Sequence, residues 1–415
     1  MSALARFFLH EKKNVSGSDR AASAITDALV REGITFFPTQ VAENLSKGTL
    51  PLLPDMVVYT EAMAHDHEEM VAARELGVPM MNYFDALGLV ANEYYLIAVA
   101  GAHGKTTTTA MLTDVLEEAG LDPTSIIGSL RSKTGSNFRA GKSKYAVVEA
   151  CEYKRDFLSL KPDVLVITNV EYEHVDYYRD LADVQDAFRT LAMTVPSDGA
   201  IIAPANHPNL GPVLTGVQAT VIDYQKSLDL NLKLRQPGLH NRQNAAAAKA
   251  VATFLGVDTE VATSALENFA GTWRRFEYKG DVNNAPVYDD YAHHPTEIKM
   301  SIAGARELYP HKKLTVVFQS HTYTRTHELF ADFVTELARA DRVVMLPIYA
   351  AREENVSGVT SAQLVAEINK LGAEAVYFET VPAAALYVRE LVGTDDVVLV
   401  MGAGPVTEVA TELTK

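Results

Sequence analysis

The chain has 415 residues, about two to three times a usual domain, and its 47% hydrophobic and 22% charged residues exclude a disordered or fibrous protein. Lys and Arg total 37 against 53 Asp and Glu, and the formal net charge of −16 argues against nucleic-acid binding through the phosphate backbone. The single cysteine, Cys151, excludes an internal disulfide, and no apolar run approaches the ~20 residues that span a bilayer, so a cytoplasmic protein without a membrane partner is expected.

Residues 1–9 read as helix from the start and lack a small-residue cleavage site, which argues against a signal peptide. Strands are expected at 14–18, 56–60, 94–100, 145–148, 164–168, 314–319, 342–347 and 397–401. Helical patterns follow several of them, the signature of α/β domains with largely parallel sheets. A polar stretch near Asn92 and the run Phe269-Ala270-Gly271 divide the chain into blocks 1–92, 93–269 and 270–415. There is no internal repeat.

The apolar strand ending Ala98-Val99-Ala100 runs into Gly101-Ala102-His103-Gly104-Lys105-Thr106-Thr107, followed by a helix with Met111, Leu112, Val115 and Leu116 at helical spacing and an end at Gly120. Strand, Gly-rich turn and helix N-terminus make an anion site: backbone N–H groups face phosphate oxygens, Lys105 adds charge and the Thr106 hydroxyl can hold Mg²⁺. A generic P-loop has glycine where this chain has Val99, so the loop is a variant. A turn that merely caps a helix is the plainer reading, and the Lys-Thr pair after a strand favours nucleotide binding.

Two further strands end in polar clusters, Glu149-Ala150-Cys151-Glu152-Tyr153 and residues 169–176, which include Glu171, Glu173 and His174. Ligands of open α/β sheets collect at the carboxyl ends of strands, so both clusters are expected beside the loop. Phosphoryl transfer to a carboxylate brings two anions together and needs oxygen and nitrogen ligands for Mg²⁺; Glu149 and His174 are the candidates. Nothing near Cys151 resembles an activating Cys-His pair, and it reads as a small buried residue.

Gly101 to Thr107, Glu149 to Tyr153, Thr168-Asn169 with His174, the run 239–244 (Leu-His-Asn-Arg-Gln-Asn), Arg274-Arg275-Phe276 and the run 288–297 (Tyr-Asp-Asp-Tyr-Ala-His-His-Pro-Thr-Glu) occur in the order found in Mur ligases, which the chain resembles over nearly its whole length. The 288–297 run with the stretch 318–326 is similar to the L-alanine-adding branch in particular. The resemblance implies three domains: a Rossmann-like N-terminal domain for a UDP-sugar, a central P-loop ATPase and a C-terminal Rossmann-like ligase domain. It implies ATP and Mg²⁺ as cofactors, UDP-N-acetylmuramate and L-alanine as substrates, and amide formation through an acyl phosphate, in a monomer or homodimer.

By the same resemblance, Lys105, His293 and Arg275 act in catalysis. Gly101, His103, Gly104, Lys105, Thr106, Thr107, Asn241, Asn244, Arg275 and Asp290 bind ATP, and Thr106, Glu149 and His174 bind metal. Ser18, Asp19, Tyr291 and Arg325 meet the substrates, Arg325 by offering a planar fork to the L-alanine carboxylate. Arg274 beside Arg275 reads as solvated, Asn241 and Asn244 could instead cap their helix, and some family members have a second arginine where this chain has Thr322. The family also has a strand and Gly-rich turn before a segment like residues 1–5, and this sequence shows neither. A truncated start, an open sheet edge and weak UDP-sugar binding are therefore expected. The alternatives are a tripeptide-adding or folylpolyglutamate-type ligase and a non-catalytic nucleotide-binding relative.

Overall fold

A computed structural model describes residues 1–415 apart from 47, 48, 50–52, 176 and 352, so Asp176 of the acidic run lies outside the described residues. The architecture is three-layered α/β in three units. The first unit opens with the helix Ser2–His10 and holds four short strands, β1 (Ser16–Ser18), β2 (Thr35–Phe37), β3 (Val57–Tyr59) and β4 (Met80–Asn82). They pair in parallel as β1-β2 and β3-β4, in two separate sheets. The opening helix turns its apolar face to the central unit: Phe7 meets Phe138 edge to face at 6.1 Å, and Arg6 Nη1 donates to Asn137 Oδ1 at 2.7 Å.

The central sheet contains β5 (Tyr95–Ala100), β6 (Thr124–Arg131), β7 (Ser136–Arg139), β8 (Tyr145–Glu149), β9 (Val164–Ile167), β10 (Ala200–Ala203) and β11 (Thr220–Asp223). Its order is β11-β10-β9-β5-β8-β6-β7, all parallel except the edge pair β6-β7. Because β5 lies between β8 and β9, the turns after all three strands open on the same end of the sheet. The central strands β5, β8, β9 and β10 are nearly continuous apolar runs, as expected of a sheet covered on both faces.

The helix Lys105–Glu118 starts with four threonines, poor helix formers, so its stability comes from burial. Met111, Leu112, Val115 and Leu116 are fully buried, each worth about 1.5–3 kcal/mol. They share a core with Ala245 to Ala248 of the helix Leu239–Phe254, whose small side chains let the two helices approach closely.

The third unit has β12 (Glu277–Val282), β13 (Ala285–Asp290), β14 (Lys313–Phe318), β15 (Arg342–Met345), β16 (Glu374–Tyr377) and β17 (Asp396–Met401), in the order β12-β13-β17-β14-β15-β16. Only β12 runs antiparallel. All eight strands read from the sequence are present, shifted by at most two residues at either end. Strands β2, β4, β6, β7, β10 to β13 and β16, which carry weaker local patterns, were not among them.

Candidate active site

The carboxyl ends of the central and C-terminal sheets face each other, and the site is built between them. The phosphate loop is held by close backbone approaches. Gly101 adopts φ 135°, and a Cβ there would lie 2.0 Å from Thr168 Oγ1; Gly104 adopts φ 84°, and a Cβ there would lie 2.4 Å from Asn244 Oδ1. Only glycine fits either position. The turn after β9 pins the loop: Asn169 Oδ1 accepts from His103 N at 2.9 Å, while Thr168 Oγ1 and Asn169 Nδ2 donate to His103 O at 2.6 and 2.9 Å. Thr168 and Asn169 had no individual role in the sequence reading; their signal was only their place in the motif order.

Lys105 Nζ lies 2.9 Å from Glu152 Oε2 and donates to the loop carbonyls of Gly101 and Ala102. Burial disfavours the ammonium, but the charges of Glu152, Cys151 and Glu149 outweigh it and raise the lysine pKa. Thr106 Oγ1 donates to Glu149 Oε1 at 3.0 Å, and Glu149 Oε2 accepts from Gly128 N at 2.8 Å. Thr107 is buried in the first turn of the same helix. His174 Nε2 lies 3.3 Å from Glu152 Oε1, with its ring 4.8 Å from that of Tyr153. Glu152 thus joins the lysine to the histidine, a role that sequence reasoning missed because it depends on which strand ends meet. Cys151 is half-buried rather than fully buried, and burial pushes its thiol up to about 12, so it is inert as a nucleophile.

Asn241 and Asn244 lie on one face of their helix beside Gly104, with Asn241 Nδ2 donating to Pro237 O at 2.8 Å. That bond runs to a carbonyl two residues before the helix and is not a cap, since the N-cap is Gly238 with no side-chain cap bond, whereas Asn244 abuts the loop. Oxygens of Thr106 and Glu149 side by side form a hard donor set that fits Mg²⁺. A second group, His103, Glu171 and His294, has ligand atoms within 4.8 Å of one another. Both ring nitrogens of His103 face carboxylates, however. Burial opposes its charge, and hydrogen bonds to Glu171 and Glu297 outweigh burial and push its pKa up to about 10. With carboxylates on both sides of its ring, the His103 side chain favours its charged form, and the group is arranged here as ion pairs.

The C-terminal unit brings Arg274, Arg275, Tyr291, His293 and Arg325 to this interface. Arg274 is not solvated: it is 4% exposed, ion-paired with Asp289 at 3.2 Å and bonded to the carbonyls of Gly402 and Gly404. Its role is to tie the strand ends of β13 and β17 together. Arg275 is more open, its guanidinium over the Tyr291 ring at 5.2 Å and 3.9 Å from Glu297 Oε1. His293 donates its backbone N–H to Glu297 at 3.0 Å, and burial lowers its pKa to about 4, so it acts as a neutral imidazole. Asp290 is buried and accepts from Ser301 Oγ and Ala292 N, each at 2.9 Å; burial raises its carboxyl to about 6. Each of its oxygens thus accepts one bond from inside the unit.

Arg325 Nη2 lies 3.1 Å from Glu173 Oε1, across the interface. The helix Tyr323–Glu328 that carries it is capped by Thr322, whose φ of 66° is strained for a β-branched residue. His174 (φ 54°) and Arg274 (φ 56°) share this left-handed conformation, which costs about 1–3 kcal/mol each. Ser18 and Asp19 stand apart: Ser18 Oγ donates to Glu69 at 2.8 Å and Asp19 accepts from Arg20 N, away from the cluster. From the first block, Glu61 lies 3.5 Å from Lys154, and burial with the nearby charges of Glu149 and Cys151 raises the Tyr83 hydroxyl pKa.

Three family models match consecutive parts of the chain: Mur ligase family, catalytic domain over 1–95; Mur ligase middle domain over 99–226; and Mur ligase, glutamate ligase domain over 274–404. The UDP-N-acetylmuramate–L-alanine ligase of Caldanaerobacter subterraneus subsp. tengcongensis is 38% identical over 99% of this chain and 94% of its own. The enzyme of the same name from Agathobacter rectalis is 37% identical over 100% and 95%. The crystal structure of UDP-N-acetylmuramate-alanine ligase from Thermotoga maritima superposes with a TM-score of 0.82 at 28% identity, covering 100% of this chain and 95% of that one. A murein peptide ligase from Psychrobacter arcticus, 23% identical with a TM-score of 0.73, shares the fold. With relatives above 30% identity along its full length, the chain belongs to the Mur ligase family.

Proposed function

We propose that this chain is an ATP-dependent ligase that joins L-alanine to the lactyl carboxylate of UDP-N-acetylmuramate in peptidoglycan precursor synthesis. The observation that carries it is that the phosphate loop and the turn after β9 meet the C-terminal unit, through His103 with Glu297 and Glu173 with Arg325, while Glu297 also faces Arg275. The two relatives above 30% identity named above carry the name UDP-N-acetylmuramate–L-alanine ligase and match along the full length, which supports this branch over the tripeptide-adding one.

In the first step the lactyl carboxylate oxygen attacks the γ-phosphorus of ATP, forming an acyl phosphate and releasing ADP. In the second, the amine of L-alanine attacks the acyl carbon, the amide forms, and phosphate leaves with the electron pair of the broken C–O bond. Lys105 and the backbone N–H groups of the loop bind the phosphates, and Arg275 offers charge from the opposite side. Mg²⁺ held by Thr106, Glu149 and His174 supplies charge neutralisation between the two anions when bound. Arg325 presents its fork to the alanine carboxylate, and neutral His293 orients groups by hydrogen bonding without adding charge. Asn244, beside Gly104, and Asn241 next to it are assigned to the purine edge. Ser18 and Asp19 are assigned to the sugar nucleotide, and such substrates support a cytoplasmic site of action.

The test is phosphate release from ATP with UDP-N-acetylmuramate, run with L-alanine and with a tripeptide. Release dependent on L-alanine is expected. Release with the tripeptide alone would move the chain to the other branch, and no release with either would favour a non-catalytic nucleotide binder.

A further inference from the structure

The reaction as derived leaves one cluster unused. His103, 5% exposed, has Nδ1 3.3 Å from Glu297 Oε1 and 3.7 Å from Glu173 Oε2, and Nε2 3.5 Å from Glu171 Oε2. Glu171 and Glu173 belong to the turn after β9, whereas Glu297 belongs to the helix Pro295–Leu308 of the C-terminal unit. His103 therefore ties a phosphate-loop residue across the interface.

Glu297 divides its two oxygens between two tasks. Oε2 accepts from the backbone N–H groups of His293 and His294 at 3.0 and 3.3 Å, closing the capping box of its own helix. Oε1 faces His103 and lies 3.9 Å from Arg275 Nη1. One buried carboxylate thus touches the phosphate loop, Arg275 and the backbone of His293. A buried carboxylate without a cation is costly, so its preferred state is the one in which His103 is docked against it.

We propose that Glu297 is a positioning residue: through His103 it locks the C-terminal unit onto the phosphate loop and so sets Arg275 and His293 against the transferring phosphoryl group. This rests on the ligase reading above. An interface contact of any kind would hold two domains together; this one also fixes the register between the loop and the groups that must meet the γ-phosphate. A displacement of about 1 Å in such groups costs on the order of 100-fold in rate.

The test compares Glu297→Gln, His103→Gln, the double variant and Thr296→Val, whose parent hydroxyl bridges the same interface to Glu171 at 3.1 Å without touching Glu297 or His103. Gln can still accept one N–H at the cap but loses the charge. Each single latch variant is expected to lose about 10- to 100-fold in kcat, with the KM for L-alanine near the wild-type value. The double variant is expected to lose no more than the worse single, because both remove one interaction. Thr296→Val is expected to keep wild-type kcat.

Losses that multiply in the double variant, or an equal loss in Thr296→Val, would overturn the proposal. If Glu297→Gln does not fold, His103→Gln against Thr296→Val decides. A readout independent of turnover is amide hydrogen exchange over residues 101–107 without substrate, expected to quicken in Glu297→Gln and His103→Gln; unchanged exchange would overturn the latch. A wild-type chain that shows the latch by exchange but no alanine-dependent phosphate release would instead overturn the ligase reading alone.

Discussion

Lys105 and Glu152 form an ion pair of 2.9 Å in which the carboxylate is 2% exposed and shared with His174. The lysine of the phosphate loop is therefore also the principal counter-charge of a buried acid. Removing one partner of a buried pair costs about 3–5 kcal/mol. Lys105→Ala is expected to abolish phosphate release and to lower the unfolding temperature. Lys105→Ala with Glu152→Gln is expected to regain stability but not turnover. Retained activity in the single variant would sink the loop assignment.

Thr106 and Glu149 stand oxygen to oxygen at 3.0 Å beside the loop. Partners that merely orient metal ligands are worth about 10–100-fold in metal affinity, and a direct ligand at least as much. Glu149→Gln should therefore shift the Mg²⁺ concentration for half-maximal turnover upward by about tenfold or more at saturating ATP. An unchanged Mg²⁺ dependence would remove Glu149 from the metal site.

Arg325 is held through Nη2 by Glu173 at 3.1 Å and through Nη1 by His321 Nδ1 at 3.4 Å, so its fork is set in place before a ligand arrives. Truncating such a charge partner costs about 2–5 kcal/mol, and each 1.4 kcal/mol is tenfold. Arg325→Ala is expected to raise the KM for L-alanine by about 30-fold or more while leaving that for ATP little changed. Equal rises in both constants would assign Arg325 to the interface instead of the amino acid.

Histidines give the stability a pH profile with two limbs. Burial lowers His240 to about 4, against the opposing charges of Glu297 and Glu307, and lowers His293 to a similar value. For a base with a depressed pKa, the stabilisation is complete above about 6.5 and is lost as pH falls toward 4, because the unfolded chain binds the proton first. His103 has the opposite sign: its contribution is complete below about 6.5 and is lost as pH rises toward 10. Thermal unfolding should therefore peak near neutral pH. His240→Gln should flatten the acid limb, and His103→Gln the alkaline one; a variant profile parallel to the wild type would refute that assignment.

Much of the architecture was legible in the sequence because its signals are local. The buried parallel strands are continuous apolar runs, and β5, the glycine turn and the following helix are contiguous residues. The strands that escaped notice are short, mixed in polarity or on a sheet edge, where burial depends on neighbours far along the chain. The first unit differs for the same reason: β1-β2 and β3-β4 stand as two separate parallel pairs, an arrangement no local pattern specifies.

By itself, the sequence determined the strand, glycine turn and helix around Gly101 to Thr107, the order of the motifs and the residue types at the strand ends, since each is written in a few consecutive residues. Tertiary structure alone decided the pairings. Lys105 with Glu152, Arg325 with Glu173 and His103 with Glu297 are separated by 47, 152 and 194 residues. It also reversed the reading of Arg274, buried where it had looked solvated, and turned the Asp290 carboxylate inward. The physical reason is that a charged side chain carries no local signature of its partner. Which carboxylate it meets is set by which strand ends face each other across the domain interface, and the low dielectric there makes each such meeting decisive.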